Sequence, residues 1–149
     1  PILADVSYLI QFRNPVHSIC SNYQLYLNNH PEEQNVEGWQ KFAFRDIYYW
    51  NHFIDKWVLD YPAHAIAPLY CTYEQLISQP ENMSRQILSF MSAGPLDEAR
   101  FEKTMGTLTI ASRNSLIDFQ FHDSGFFNEL EQMAAQRMAN LDLPAWDEF

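Results

Sequence analysis

The sequence is poor in residues that several classes of protein require. Among its 149 residues there are only two cysteines, Cys20 and Cys71, and neither stands in a CxxC or Cys/His spacing. A disulfide scaffold and a structural zinc site are therefore not expected. Nine basic residues face 19 acidic ones, for a net charge of -10, which argues against broad, non-specific binding of nucleic acid. No apolar run approaches the length of a membrane span, and no signal peptide is predicted at the start of the chain.

The residues that are present favour one folded domain. Hydrophobic residues make up 47% of the chain and aromatic residues 15%, which is ample material for a core, so disorder is not expected. The length suits a single domain over residues 1–149. The two unpaired cysteines favour the cytoplasm as the compartment.

Short hydrophobic stretches and helix-capping residues define the order of the elements. Residues 6–12 and 63–70 are predicted strands, the first buried on both faces and the second weakened by Pro68. Asn14 with Pro15 is typical of a helix start. Helices are predicted over residues 15–28, 37–60 and 97–104. A short helix is predicted to begin at a capping box formed by Thr72 and Gln75. Two further helices are predicted, one from residue 80 to about 91–94 with Ser78 as its cap and one over residues 126–140 with Ser124 as its cap.

This order predicts an α/β fold that is mostly helical with a short parallel sheet. Two strands joined through helices pair in parallel, with a right-handed crossover between them. Because two parallel strands make a poor sheet by themselves, we expect further strands in upstream sequence or in a partner chain.

The long predicted helix over residues 37–60 carries large side chains at steps of three or four. They form a stripe that only Asp46 interrupts: Trp39, Phe42, Tyr49, Trp50, Phe53 and Trp57. We expect this stripe to belong to the core, and the alternative is that one of its aromatic rings borders a ligand pocket. Residues 107–122 could be short extended pieces or an ordered loop. The tail, residues 141–149, is expected to be irregular, and its acidic residues Asp142, Asp147 and Glu148 are expected to be a solvated end.

Residues 8–26 carry the pattern that is richest in chemistry. Arg13 stands where a strand ends, Asn-Pro opens a helix, and Ser21 follows eight residues after the arginine. A guanidinium can hold a phosphate through two parallel hydrogen bonds, and a helix start offers N–H groups and a favourable dipole. Ser21 could add a hydroxyl donor. The pattern indicates an anion site, and the alternative is a surface arginine with a small packing serine.

This segment, YLIQFRNPVHSICSNY, resembles the 3′-phosphate-binding segment of sulfotransferases that use 3′-phosphoadenosine 5′-phosphosulfate (PAPS). That family has a hydrophobic strand, Arg-Asp/Asn-Pro, and a serine eight residues after the arginine, which match Arg13 and Ser21. Its aromatic region with spaced tryptophans is similar to residues 39–57. Its strand leading into Tyr-Glu-Asp/Asn-Leu and a later Asp/Gln-Pro is similar to LYCTYEQLISQPENMSRQILSFM, which implies that Tyr73 lies against the adenine. The resemblance covers residues 7–91.

The resemblance implies a partial P-loop-type, three-layer sulfotransferase fold, of which this chain would be the later part. The family's Lys-Ser/Thr-Gly-Thr loop for the 5′-phosphosulfate does not occur in this sequence, and neither does the stretch with the catalytic His or Glu. An Arg-Lys-Gly motif is also missing, and Arg113 is only a loose substitute for it. No catalytic residue is therefore assigned.

Two functions of different classes follow from these observations. The first is a sulfotransferase, present as a fragment, that transfers a sulfuryl group from PAPS to a hydroxyl or amine acceptor. The alternative is a non-catalytic, truncated sulfotransferase-like module that binds a partner or forms a homodimer, because unpaired strand edges favour association. Neither function is expected to involve nucleic acid or a membrane span in this chain. The Golgi lumen would replace the cytoplasm if a membrane anchor precedes the chain.

The remaining reactive side chains are assigned structural roles. His17, His52 and His122 show no metal-ligand spacing, so no metal site is predicted. His17 is expected on the surface of the first helix. Cys20 is expected on the core face of that helix as a packing residue, not as a nucleophile.

Overall fold

A computed structural model of the chain describes residues 2–3, 5–61, 65–91, 94–109 and 116–147. Its elements are two strands and six α-helices: β1 (Leu9–Phe12), α1 (Pro15–Tyr26), α2 (Val36–Ile54), β2 (Leu69–Thr72), α3 (Tyr73–Ser78), α4 (Pro80–Met91), α5 (Glu98–Met105) and α6 (Ser124–Leu141). The predicted α/β fold, mostly helical with a small parallel sheet, is confirmed at this level. No helix among the described residues has the length and apolar character needed to cross a membrane.

The chain divides into two compact units. We call Pro1–Phe12 with Pro62–Arg113 the sheet unit, and Arg13–Tyr61 with Asn114–Phe149 the helical unit. Each unit combines two separate stretches of the sequence. The single domain over residues 1–149 stays a prediction.

The sheet unit contains β1 and β2 as a parallel pair. Leu9 pairs with Leu69 and Phe12 with Thr72, which confirms the predicted parallel arrangement. The prediction that the first strand is buried on both faces was wrong, because Ile10 and Phe12 are buried whereas Leu9 and Gln11 are exposed. The second strand begins one residue after Pro68, later than predicted, since a proline within the strand would remove a ladder donor. Residues 62–64 lie outside the described part of the chain.

Local capping opens the short helices of the sheet unit. Thr72 and Gln75 form the predicted capping box of α3, with both hydrogen bonds 3.0 Å long. Asp97 caps α5 by accepting from Arg100 N. The predicted Ser78 cap of α4 was wrong, because the Ser78 hydroxyl donates back to the carbonyl of Glu74 within α3.

The helical unit is built around aromatic side chains of α1, α2 and α6. Tyr23 from α1, Trp39 and Phe42 from α2, and Phe127 from α6 are buried, and the Tyr23 and Trp39 ring centroids lie 5.2 Å apart. Helix α2 continues into one π-helical turn, Asp55–Leu59, so the predicted long helix over residues 37–60 is confirmed. Burying such large rings together stabilises this unit.

The buried face of α2 is rotated from the predicted stripe. Trp39, Phe42 and Trp50 are buried as expected, but Ile47 and Ile54 complete the face. Tyr49 and Phe53, which the prediction placed in the core, are exposed by 59% and 37%. A stripe chosen by the size of its side chains therefore missed the packed face by part of a turn, because β-branched isoleucines fill the interior beside the rings.

The described stretch before α6, residues 116–122, is a loop with one short helical turn, which agrees with the ordered-loop alternative. Leu116–Asp118 forms one 3-10 turn, while residues 110–115, including the predicted substitute Arg113, lie outside the described part. Asp123, not Ser124, caps α6 by accepting from Phe126 N. Asp142 and Asp147 are exposed, as predicted for the acidic residues of the tail, whereas Trp146 is 9% exposed and has its ring 5.1 Å from that of Phe127.

Candidate functional site

The start of α1 is a closed, fully hydrogen-bonded cap. Asn14 Oδ1 accepts from the backbone N–H groups of Val16 and His17, at 2.9 and 3.3 Å. Pro15 occupies the first helical position and has no N–H to offer. The predicted cap and proline are confirmed. The prediction that this helix start offers N–H groups to an anion was wrong, because Asn14 already accepts from them.

The side-chain amide of Asn14 also ties α1 to the other end of the chain. Asn14 Nδ2 donates to Glu131 Oε1 at 2.8 Å and to the Pro144 carbonyl at 3.0 Å. Glu131 Oε1 accepts a second bond from Trp146 N, at 2.7 Å. One buried asparagine therefore caps α1 and joins it to α6 and to the segment that follows α6.

Arg13 immediately precedes this cap and lies against the side of α1. Its Nη2 is 3.3 Å from His17 Nδ1, and its backbone carbonyl accepts from Trp50 Nε1 at 3.0 Å. Burial raises the pKa of the Cys20 thiol to about 12, against a smaller opposing effect of the Arg13 charge. The Arg13 guanidinium is thus near the helix face that carries His17 and Cys20. Cys20 itself is buried, as predicted, and its raised pKa makes it a poor nucleophile.

His17 was predicted on the helix surface, and this prediction was wrong. The residue is only 4% exposed. Its Nε2 lies 2.9 Å from the carbonyl oxygen of Trp146, 129 residues away in sequence, and its Nδ1 faces Arg13. The spacing of four residues from Arg13 to His17 could have indicated this contact. Nothing in the sequence near His17 indicates the contact with Trp146.

Ser21 lies on α1 and is exposed. Residues 13, 17 and 21 follow one another at intervals of four, so His17 stands between Arg13 and Ser21 along one side of the helix. The structure therefore brings Arg13 and His17 into contact, and it leaves the Ser21 hydroxyl accessible about 6 Å further along the axis than His17.

Tyr73 belongs to the sheet unit and is described separately. It is the first residue of α3 and is half-buried. It directly follows Thr72, the last residue of β2. Its predicted contact with an adenine stays a prediction.

Several other guanidinium groups are committed to carboxylates. Arg137 donates to both oxygens of Asp55, at 2.7 and 2.6 Å, and these bonds lower the pKa of Asp55. Arg85 faces Glu81 and Glu98.

One group of potential metal ligands occurs among the described residues. Ligand atoms of His30, Glu32 and Glu33 lie within 4.8 Å of one another near the surface. Glu33 Oε1 accepts from the Tyr26 hydroxyl at 2.9 Å, and the Tyr26 and His30 rings stack at 4.1 Å. These contacts account for the arrangement by ordinary packing.

Comparisons with protein-family models, with curated proteins and with solved structures found no match to this chain.

Proposed function

We propose that the chain carries the 3′-phosphate-binding part of a PAPS-dependent sulfotransferase, with Arg13 and Ser21 as the phosphate contacts. The observation that carries the proposal is the strand–Arg-Asn-Pro–helix segment with a serine eight residues after the arginine. Its local geometry is consistent with that use: β1 ends at Phe12, Asn14 caps α1, and Arg13 lies along the side of α1 on which Ser21 is accessible. The finer fold, a P-loop-type three-layer domain, belongs to this same proposal.

The residues of this chain fit part of the cofactor. Arg13 can offer a planar set of N–H donors to a phosphate, and Ser21 offers an exposed hydroxyl. With the N–H groups of α1 bonded to Asn14, the phosphate would depend on these side chains and on the helix dipole alone.

The reaction is a group transfer in which this chain would hold the leaving group. A bond forms between the acceptor oxygen or nitrogen and sulfur, while the bond from sulfur to the 5′-phosphate oxygen breaks. Adenosine 3′,5′-bisphosphate leaves with the electron pair of the broken bond, and the acceptor loses its proton to a base. As in phosphoryl transfer, catalysis rests on positioning and on neutralising charge. No residue of this chain is proposed as the base.

Calorimetric titration of the 149-residue chain with adenosine 3′,5′-bisphosphate tests this proposal, with AMP as the control ligand. We expect binding that prefers the ligand with the 3′-phosphate. An arginine–phosphate contact contributes about 1.5–3 kcal/mol, so Arg13→Gln should weaken binding about ten- to a hundred-fold. Arg100→Gln, which removes the same charge from exposed α5, serves as the matched control. Wild-type affinity in Arg13→Gln, or no binding by a folded wild-type chain, would remove the proposal.

A second candidate is a non-catalytic module that self-associates through its small sheet. The observation that favours it is a sheet of two strands within the described residues. Leu9 and Tyr70 on these strands are 41% and 36% exposed. Exposed apolar strands with unpaired edges favour pairing with another chain.

Size-exclusion chromatography with light scattering distinguishes this second candidate. A tight dimer that Leu9→Lys converts to monomer would support it, whereas Leu25→Lys on the exposed side of α1 should leave the dimer intact. A monomer at high concentration would contradict the module, and aggregation would indicate an incomplete fold.

A further inference from the structure

A series of hydrogen bonds leads from the end of the chain to Arg13. Trp146 is held by its backbone N–H, which donates to Glu131 Oε1 at 2.7 Å, and by its indole Nε1, which donates to Asn128 Oδ1 at 2.9 Å. Its carbonyl oxygen lies 2.9 Å from His17 Nε2. His17 Nδ1 in turn lies 3.3 Å from Arg13 Nη2. Both ends of the imidazole are therefore engaged, one by the anchored Trp146 and the other by the arginine.

The two partners determine which ring nitrogen of His17 carries the proton. A backbone carbonyl can only accept, so Nε2 must donate to Trp146 and hold the hydrogen. A guanidinium can only donate, so Nδ1 must present its lone pair to Arg13. Only the neutral Nε2–H tautomer satisfies both contacts. A proton on Nδ1 would set two donors against each other.

We propose that His17, fixed by Trp146 in its neutral Nε2–H tautomer, is a positioning residue that orients the Arg13 guanidinium for a phosphate. This inference rests on the proposed function, since it concerns the arginine of that site. An arginine side chain loses considerable rotamer freedom when it is held for a ligand. A guanidinium already held by His17 Nδ1 has met part of that cost before binding, and preorganisation of this kind raises affinity. Ser21, one helical turn beyond His17, would meet the same anion.

The test uses three substitutions of His17 with different hydrogen-bonding capacity. His17→Asn places an amide oxygen where Nδ1 stood, so it keeps an acceptor for Arg13 and loses the bond to Trp146. His17→Gln reaches the position of Nε2, so it keeps a donor for Trp146 and loses the acceptor for Arg13. His17→Phe retains a ring and loses both. Each variant is titrated with adenosine 3′,5′-bisphosphate and with AMP, beside wild type and Arg13→Gln, and circular dichroism checks folding.

We expect His17→Gln and His17→Phe to bind adenosine 3′,5′-bisphosphate about five- to ten-fold more weakly, with AMP binding changed less than about two-fold. His17→Asn should stay within about two-fold of wild type. A purely structural histidine would not separate the asparagine from the glutamine variant. Two outcomes would contradict the positioning role: all three variants bind as wild type does, or all three lose affinity equally. If Arg13→Gln still abolishes the preference for the 3′-phosphate in that case, the positioning role is wrong and the proposed function stands. If wild type shows no such preference, both are wrong.

A measurement on wild type alone covers the case in which the variants do not fold. Long-range proton–nitrogen NMR correlations report which ring nitrogen of His17 carries hydrogen. We expect hydrogen on Nε2 and a lone pair on Nδ1. Hydrogen on Nδ1 at neutral pH would overturn the inference.

Discussion

The helical unit and the sheet unit are held together by different kinds of contact. In the helical unit, several side-chain hydrogen bonds join residues 82 to 130 positions apart in sequence, from Asp55–Arg137 to Asn14–Pro144. In the described part of the sheet unit, α4 and α5 carry side-chain bonds over short separations, such as Arg85–Glu98 across 13 positions, while the backbone ladder of β1 and β2 pairs Leu9 with Leu69. The hydrophobic cores differ in the same sense. Among the described residues, five buried hydrophobic side chains lie in the sheet unit and the others lie in the helical unit. The five are Ile10, Phe12, Cys71, Met83 and Phe101.

This difference implies that the helical unit opens cooperatively, whereas the short helices of the sheet unit are stabilised locally. Contacts between distant parts of the chain are lost together when a unit opens, whereas capping boxes and neighbouring ion pairs stabilise one short helix at a time. We therefore expect the helical unit, which holds Arg13, His17 and Ser21, to be the more rigid of the two. A rigid support is what a preorganised anion site requires.

Truncating the aromatic core of the helical unit should have the largest effect. Trp39 is 1% exposed, and its ring lies within 6.4 Å of those of Tyr23, Phe119, Phe126 and Phe127. Trp39→Ala should lower the free energy of unfolding by about 3–5 kcal/mol, measured by urea denaturation. Tyr49→Ala, on the exposed face of the same helix, should cost less than about 1 kcal/mol. Equal losses would mean that α2 packs through the originally predicted stripe.

Removing a helix cap should cost more in the helical unit than in the sheet unit. Asn14→Ala deletes the cap of α1 together with the bonds to Glu131 and Pro144, and should lower the free energy of unfolding by about 2–3 kcal/mol. Asp97→Ala deletes one exposed cap bond in the sheet unit and should cost about 1 kcal/mol or less. Urea denaturation of both variants measures the difference, and similar losses would contradict the comparison.

The two cysteines report on how each unit opens. Cys20 in the helical unit and Cys71 in the sheet unit are both buried, and burial raises the pKa of both thiols. Neither should react appreciably with a thiol reagent in the native protein at neutral pH. In low denaturant we expect Cys71 to be labelled about tenfold faster, because its unit opens at lower cost. Mass spectrometry after partial labelling identifies the site, and faster labelling of Cys20 would reverse the proposed order of stability.

The Asp55–Arg137 pair should make a small, pH-dependent contribution to the helical unit. Its hydrogen bonds lower the pKa of Asp55 below the ordinary value of 3.8. The stabilisation is therefore present above pH 3.8 and is lost as pH falls through the lowered pKa, where the folded carboxylate takes up its proton. Asp55→Asn should cost about 1 kcal/mol at pH 7, since the pair is partly exposed. The difference from wild type should vanish in strong acid. A difference that persists there would show that shape, not charge, is responsible.

The candidate site shows what sequence patterns can indicate. Arg13 and Ser21 were singled out because their spacing in a strand–turn–helix segment is a local property. His17 was assigned to the surface because its neighbours in sequence give no sign of burial, although the segment that covers it contains Trp146. The supposed anion-binding N–H groups of α1 were misjudged for a related reason. An asparagine cap that suits a helix start also occupies the donors that an anion would need.

The sequence by itself determined some of the elements whose bonds close within about four residues. These include the Asn14 cap with Pro15 and the Thr72–Gln75 capping box, because such bonds depend only on neighbouring residue types. Parallel pairing of the two strands also followed from the order of elements. Only the tertiary structure decided which face of α2 is buried and that Trp146 returns to His17. Those outcomes depend on contacts across more than 80 residues, and the energy of such a contact is not expressed in any local pattern of the chain.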